Sequence, residues 1–215
     1  MFYRLRWMIL MLVFFVPFVS SYAATVQKAK PQMSQNERWN LFFKKVYELH
    51  KKQIKGRKVR TVTRIDGYRD DLKFYKEVQF FDASSGLHLS TIQWERRKPH
   101  RLHTVLVNVY SKQGKLLRDY SAAYLPVQRA APIQTLVNFH ASNGKLKAFR
   151  QFDASGYLIY EACKGQYRGK KVDISLEEDD LYDADKEPGH VIHTPTYKVC
   201  FTGVPKKPGL YLHPQ

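Results

Sequence analysis

Several groups of residues in this chain have types and spacings that chemistry uses. Between Glu177 and Glu187 seven acids stand against one lysine, and hard cations such as calcium take several carboxylate oxygens. Asp183-x-Asp185-x-Glu187 has the alternate spacing of an ion loop. Its sixth position is nevertheless Pro188, where such a loop needs glycine, and its twelfth is Thr194 rather than glutamate. A solvated acidic loop is the simpler reading. His190-x-x-His193 offers two imidazoles, with Asp183 or Asp185 as a third ligand. Zinc proteases, however, need histidines four apart on a helix with glutamate between them. His100 and His103 share the three-residue spacing on an expected strand, where they would face opposite sides.

Nucleophilic catalysis finds no support. There is no Gly-x-Ser-x-Gly elbow, no phosphate loop and no dinucleotide fingerprint. The expectation is therefore no enzyme, no catalytic residue, no metal and no cofactor. What stands out is a run of cations beside an aromatic, Trp94-Glu-Arg96-Arg97-Lys98-Pro-His-Arg101. Guanidinium and ammonium groups at this density hold phosphate or carboxylate surfaces through charge-assisted hydrogen bonds. Trp94, Arg96, Arg97, Lys98 and Arg101, joined by Arg129 from the next connection at the same sheet end, form the candidate binding site. An ordinary charged loop is the competing reading.

Compartment follows from the amino terminus and the cysteines. Arg4 and Arg6 precede an apolar run from Trp7 to Val19, and Ser21 and Ala23 supply small residues for a signal peptidase. Residues 1–23 read as a signal peptide cleaved after Ala23 or Ala24, with an uncleaved anchor as the alternative. Residues 24–33 read as a linker. Two cysteines, Cys163 and Cys200, reach an oxidising compartment together, where a disulfide between them is expected over two buried thiols. The periplasm is the expected location.

Charge narrows the partner. The chain carries 36 Lys+Arg against 19 Asp+Glu, a formal net charge of +17. A basic exported protein meets anionic surfaces: phospholipid headgroups, acidic polymers or acidic proteins. Nucleic acid is not expected in that compartment. The oligomeric state is not legible in the sequence.

These groups need elements to position them. Ser34-x-x-Glu37 is a capping box that opens a helix over 34–55, with Trp39, Phe42, Phe43, Val46, Leu49 and His50 on one face. From residue 58 the period changes to two, with strands expected over 58–65, 73–82, 87–95, 101–111, 115–125, 133–141, 145–153 and 157–163. An aromatic, a short polar stretch, glycine and leucine recur around Gly86, Gly114, Gly144 and Gly156. Each repeat reads as a tight turn between strands. The spacing predicts an antiparallel up-and-down meander over 58–163, mainly β, forming a curled sheet or partly closed barrel packed on the helix. In a meander successive turns alternate between sheet ends, so one end is glycine-tight and the other carries Arg96 to Arg101. Two more strands are expected at 172–176 and 197–201, in a part closed by the disulfide over 163–200. Residues 34–204 then form one domain, followed by a coil tail over 205–215.

The aromatic–glycine–leucine phrase resembles that of hairpin-repeat families, including the MORN-variant and YD-type repeats. Arg97-Lys-Pro99-His-Arg-Leu102 followed by Gln113-Gly114-Lys-Leu116 resembles exported lipid- or lipoprotein-carrier folds. That second resemblance implies a curled sheet holding an apolar ligand under a helix. Two functions are thus expected to compete: a binding or adaptor protein with a basic surface for an anionic partner, and a periplasmic carrier for lipid or another apolar ligand.

Overall fold

A computed structural model describes residues 33–214. The expected signal peptide and the linker up to residue 32 lie outside the described residues. Helix α1 (Gln35–Ile54) begins at its capping box: the Ser34 amide donates to Glu37 Oε2 at 2.7 Å, and the Glu37 amide donates to Ser34 Oγ at 3.2 Å. Phe42, Phe43, Val46, Leu49 and His50 form its buried stripe.

Nine strands follow: β1 (Val59–Tyr68), β2 (Asp71–Asp82), β3 (His88–Glu95), β4 (Leu102–Tyr110), β5 (Leu116–Ala123), β6 (Gln134–Asn143), β7 (Leu146–Asp153), β8 (Leu158–Tyr167) and β9 (Lys170–Glu177). They lie in one antiparallel sheet in sequence order, which leaves β1 and β9 as edges rather than closing a barrel. The mainly β meander with an N-terminal helix is therefore the observed fold.

Register fixes what faces the core. Val107 pairs with Tyr120, Tyr120 with Val137 and Val137 with Phe152. Directly opposed residues share a face, so one apolar row crosses four strands. α1 lies on that row, with Phe42 and Val46 against it. Beyond the helix the same face is covered by the C-terminal segment: α2 (Glu178–Leu181), short 3₁₀ turns, α3 (Pro195–Cys200) and a last turn at Gly209–Leu212. β4 also carries the apolar Leu106 on the second face. That face holds a polar network among half-buried Leu106, Leu136 and Phe149. There Asp119 accepts from Asn138 at 2.7 Å and pairs with His140 at 2.7 Å, and Asn138 accepts from Gln151 at 2.9 Å.

Two expectations for the C-terminal part change. Residues 197–201 are not a strand but belong to α3 and its cap. Tyr-Lys-Val-Cys-Phe has strand composition, but Thr194-Pro195 is a helix start. Proline takes the first helical position and the Thr194 hydroxyl accepts from the Tyr197 amide at 3.2 Å. The tail is also not free coil. Tyr211 packs on Phe139 with ring centroids 5.1 Å apart, and Arg118 lies over the Tyr211 ring.

The Cys163–Cys200 disulfide ties β8 to α3, with Cα atoms 6.3 Å apart. Beside it Arg150 and Glu161 are both buried and paired. Arg150 donates to the Pro205 carbonyl at 2.8 Å, and the Tyr197 hydroxyl donates to the second Glu161 oxygen. Burial first, then this bond to Glu161, raises the Tyr197 pKa. One buried ion pair thus fastens β7, β8, α3 and the tail together.

Candidate anion-binding end of the sheet

Because strand order follows chain order, the connections fall alternately at two ends of the sheet. The end with the glycine turns also receives the C-terminus of α1. There Lys55, Arg57 and Lys58 are exposed on the way into β1. Lys112 and Lys115 flank the β4–β5 turn, Lys145 and Lys147 the β6–β7 turn, and Arg168, Lys170 and Lys171 the β8–β9 turn; all are exposed.

The turns explain why the cations stay at the rim. Gly114, Gly144 and Gly169 have φ of 76°, 62° and 77°, which glycine reaches without a Cβ penalty. Each chain reversal is then short, so its lysines cannot reach far from the strand ends. Gly165 adds a close approach, since a Cβ there would lie 2.1 Å from the Lys145 carbonyl oxygen. The β6–β7 turn thereby lies directly against β8. With strands roughly 4.8 Å apart, the band spans about 40 Å.

Few carboxylates oppose it. Asp82 accepts from the Ser84 hydroxyl and from the Ser84 and Ser85 amides. These bonds, the Ser84 hydroxyl first, hold its carboxyl well below the usual range. It lies 3.6 Å from Arg57. Asp173 sits 3.7 Å from Lys164. The remaining turn cations make no ion pair among the described residues.

At the opposite, loop end the six residues singled out from sequence are brought near one another, but several are internally committed. Glu95 is buried, with Arg101 Nη1 at 3.5 Å and Arg129 Nη1 at 3.3 Å from its two oxygens. Arg129 also donates to the Leu102 carbonyl and lies 4.1 Å over the Tyr124 ring. Burial lowers its pKa. Trp94 is half-buried against the core. Arg97 reaches Asp71 at 3.3 Å, and Arg96 Nη1 donates to the Lys73 carbonyl at 3.4 Å. Only the Lys98 side chain extends with no described partner. A cleft of about 410 Å³ lies between Trp94, Arg96, Pro99 and the β1–β2 hairpin.

Next to this loop His103 is buried, touching the Tyr68 hydroxyl through Nε2 and the rings of Phe74 and Tyr75. Burial first, then Arg129, lowers its pKa to about 4. His50 of α1 behaves alike: its Nδ1 meets Ser90 Oγ at 2.7 Å, and burial, then Lys51, lowers its pKa to about 4. Both are neutral structural imidazoles near pH 7.

Among the described residues no group of three or more His, Cys, Asp or Glu is placed to hold a metal ion. Asp183 is held by Lys186 at 2.6 Å, and His190 Nδ1 accepts from the Ile192 amide. No protein-family model, curated protein or solved structure matches the chain. The turn-end cations escaped the sequence reading because they come from segments far apart in the chain. One signal was present: Gly56-Arg57, Gly114-Lys115, Gly144-Lys145 and Gly169-Lys170 each set a cation directly after the turning glycine.

Proposed function

We propose that this is an exported, periplasmic binding protein that engages an anionic membrane surface through the glycine-turn end of its sheet. The observation that carries this reading is the exposed cations without ion-pair partners among the described residues on the β4–β5, β6–β7 and β8–β9 turns, joined by Lys55 and Lys58 at the entry to β1. Mobile lysine stems spread over about 40 Å suit a surface of distributed charge better than one buried phosphate. Near an anionic membrane each such cation contributes about 1 kcal/mol. The leader-like N-terminus and the Cys163–Cys200 disulfide support export.

The carrier reading loses its expected place. Between α1 and the sheet Phe42, Phe43, Val46 and Leu49 fill the space at 2%, 5%, 0% and 7% exposure. It keeps a different one: a cleft of about 730 Å³ between β7, β8 and the C-terminal segment, lined by Leu158, Leu181, Ile192 and Phe201.

Vesicle flotation tests the proposal. The purified protein should float with phosphatidylglycerol-containing vesicles, stay behind with phosphatidylcholine vesicles, and release at about 0.5 M salt. Absence of flotation, or equal recovery on both vesicle types, overturns it. Uptake of an apolar dye that salt does not displace would favour the carrier reading instead.

A further inference from the structure

The outer edge of β1 is the least defended feature of the fold. β1 is 10 residues long, and every residue is exposed or half-buried. No described element pairs with its far side. Natural sheets blunt such edges with proline, lysine, short length or a covering segment. β9, the other edge, carries Lys170, Lys171, Asp173 and Glu177 and has residues 191–196 beside it. β1 has no proline, lysine or covering segment among the described residues, and its one bulge falls beyond Asp66; it reads Val59-Arg-Thr-Val-Thr-Arg-Ile65, with β-branched residues at five of these positions. The β1–β2 hairpin also exposes Val62, Ile65, Tyr68 and Leu72.

Its charges are complementary to themselves. A two-fold antiparallel pairing of β1 with β1 of a second copy that opposes seven residues of each strand within the regular span Val59–Asp66 can be centred on Val62 or Thr63. Centring on Val62 sets Arg60 against Arg64; like charges directly opposed are destabilising. Centring on Thr63 sets Arg60 against Asp66 twice, once on each side of the dyad. It also opposes Thr61 to Ile65 and Val62 to Arg64. The required side chains are compatible with it: Arg64 already pairs with Glu77 of β2 at 2.8 Å, and Asp66 keeps one carboxylate oxygen free after accepting the Gly67 amide. The ladder to β2 is regular from Val59 to Asp66, so the edge presents an unbroken row of amides and carbonyls over that span.

We infer that the protein forms a homodimer by β1–β1 addition in the Thr63-centred register, giving one continuous sheet across two copies. The occupant of the edge is a second copy of this chain, recognised through main-chain hydrogen bonds and the reciprocal Arg60–Asp66 pairs.

Light scattering after size exclusion, over a concentration series of the full exported protein, gives the first test: the mass should be twice that of one chain at micromolar concentration. A monomer mass at every concentration overturns the inference. Arg60→Asp and Asp66→Arg each place like charges opposite one another in the dimer. Each variant alone should dimerise at least tenfold more weakly, with unchanged circular dichroism because both side chains are exposed. In an equal mixture of the two variants, each of the two symmetry-related positions again sets an acid against an arginine. The mixture should therefore form a heterodimer of wild-type strength. Failure of the mixture to dimerise while each variant remains folded overturns the register. Dimerisation of each single variant as strong as wild type does so as well.

Discussion

The two ends of this sheet are both rich in arginine and lysine, yet they use their cations differently. At the loop end Arg101 and Arg129 surround the buried Glu95, and Arg97 reaches Asp71. At the turn end the lysines after the β4–β5, β6–β7 and β8–β9 turns project without carboxylate partners among the described residues. A local excess of positive charge therefore does not identify a binding surface. What matters is whether the fold has already neutralised it. An Arg paired with a buried Glu stabilises the fold, and releasing it to meet a ligand costs the pair.

Neutralising each end in turn tests this contrast most directly. Replacing Lys112, Lys115, Lys145 and Lys147 by Gln should weaken binding to anionic vesicles by roughly a hundredfold or more, at about 1 kcal/mol per cation. The corresponding change of Arg96, Arg97 and Lys98 to Gln should cost severalfold at most. A reversed order in the flotation titration would move the site to the loop end.

A second change separates structure from binding at the loop end. Glu95→Ala leaves two arginines facing each other, partly buried, without their carboxylate. Because both guanidiniums retain some solvent, the loss should be about 2 kcal/mol rather than the larger cost of a fully buried pair. A lowered urea midpoint with unchanged vesicle affinity is the expected result. Unchanged stability would show that the Glu95 cluster is not what commits these arginines.

Acid probes the fold more gently. His50 and His103 have pKa values lowered to about 4, against an ordinary value of 6.5. The unfolded chain therefore binds more protons than the native one between those values, and stability must fall as pH drops. The contribution is complete above pH 6.5 and lost towards pH 4. Urea midpoints should decline through that window, and His103→Gln should flatten the decline. Both imidazoles are buried rather than exposed among the turn lysines, so their titration should leave binding by folded protein unaffected.

How much of this was legible before folding divides along the same line. The helix was readable because Ser34 and Glu37 stand three apart, and the meander because Gly86, Gly114 and Gly144 punctuate a two-residue period. The loop-end run was visible because Arg96, Arg97, Lys98 and Arg101 are neighbours in the chain, whereas the pairing of Arg101 with the buried Glu95 is something sequence does not display. The turn-end band is the converse. Lys58, Lys115, Lys147 and Lys171 become one surface only when strand order places every second connection together. α3 was missed because Tyr197 to Phe201 alternate like a strand, while the capping chemistry of Thr194 and Pro195 lies just outside them.

The smallest predicted effect is the most discriminating, because one residue should move two properties in opposite directions. Arg168 has φ 51° in the Arg168-Gly169 turn between β8 and β9. A two-residue turn with both central residues at positive φ ordinarily takes Asn-Gly, since a Cβ-bearing residue other than Asn or Asp is strained there. The Arg168 guanidinium lies 5.2 Å over the Tyr167 ring, which offsets part of that strain. Arg168→Asn should therefore raise stability by about 0.5 kcal/mol. The same change removes one cation from the turn end and should weaken vesicle binding about fivefold, the equivalent of roughly 1 kcal/mol. A gain in stability with no loss of binding would show that the β8–β9 turn lies outside the contact and confine the anionic surface to β1 through β7. A loss of both would mean that the stacking on Tyr167 outweighs the backbone strain at Arg168.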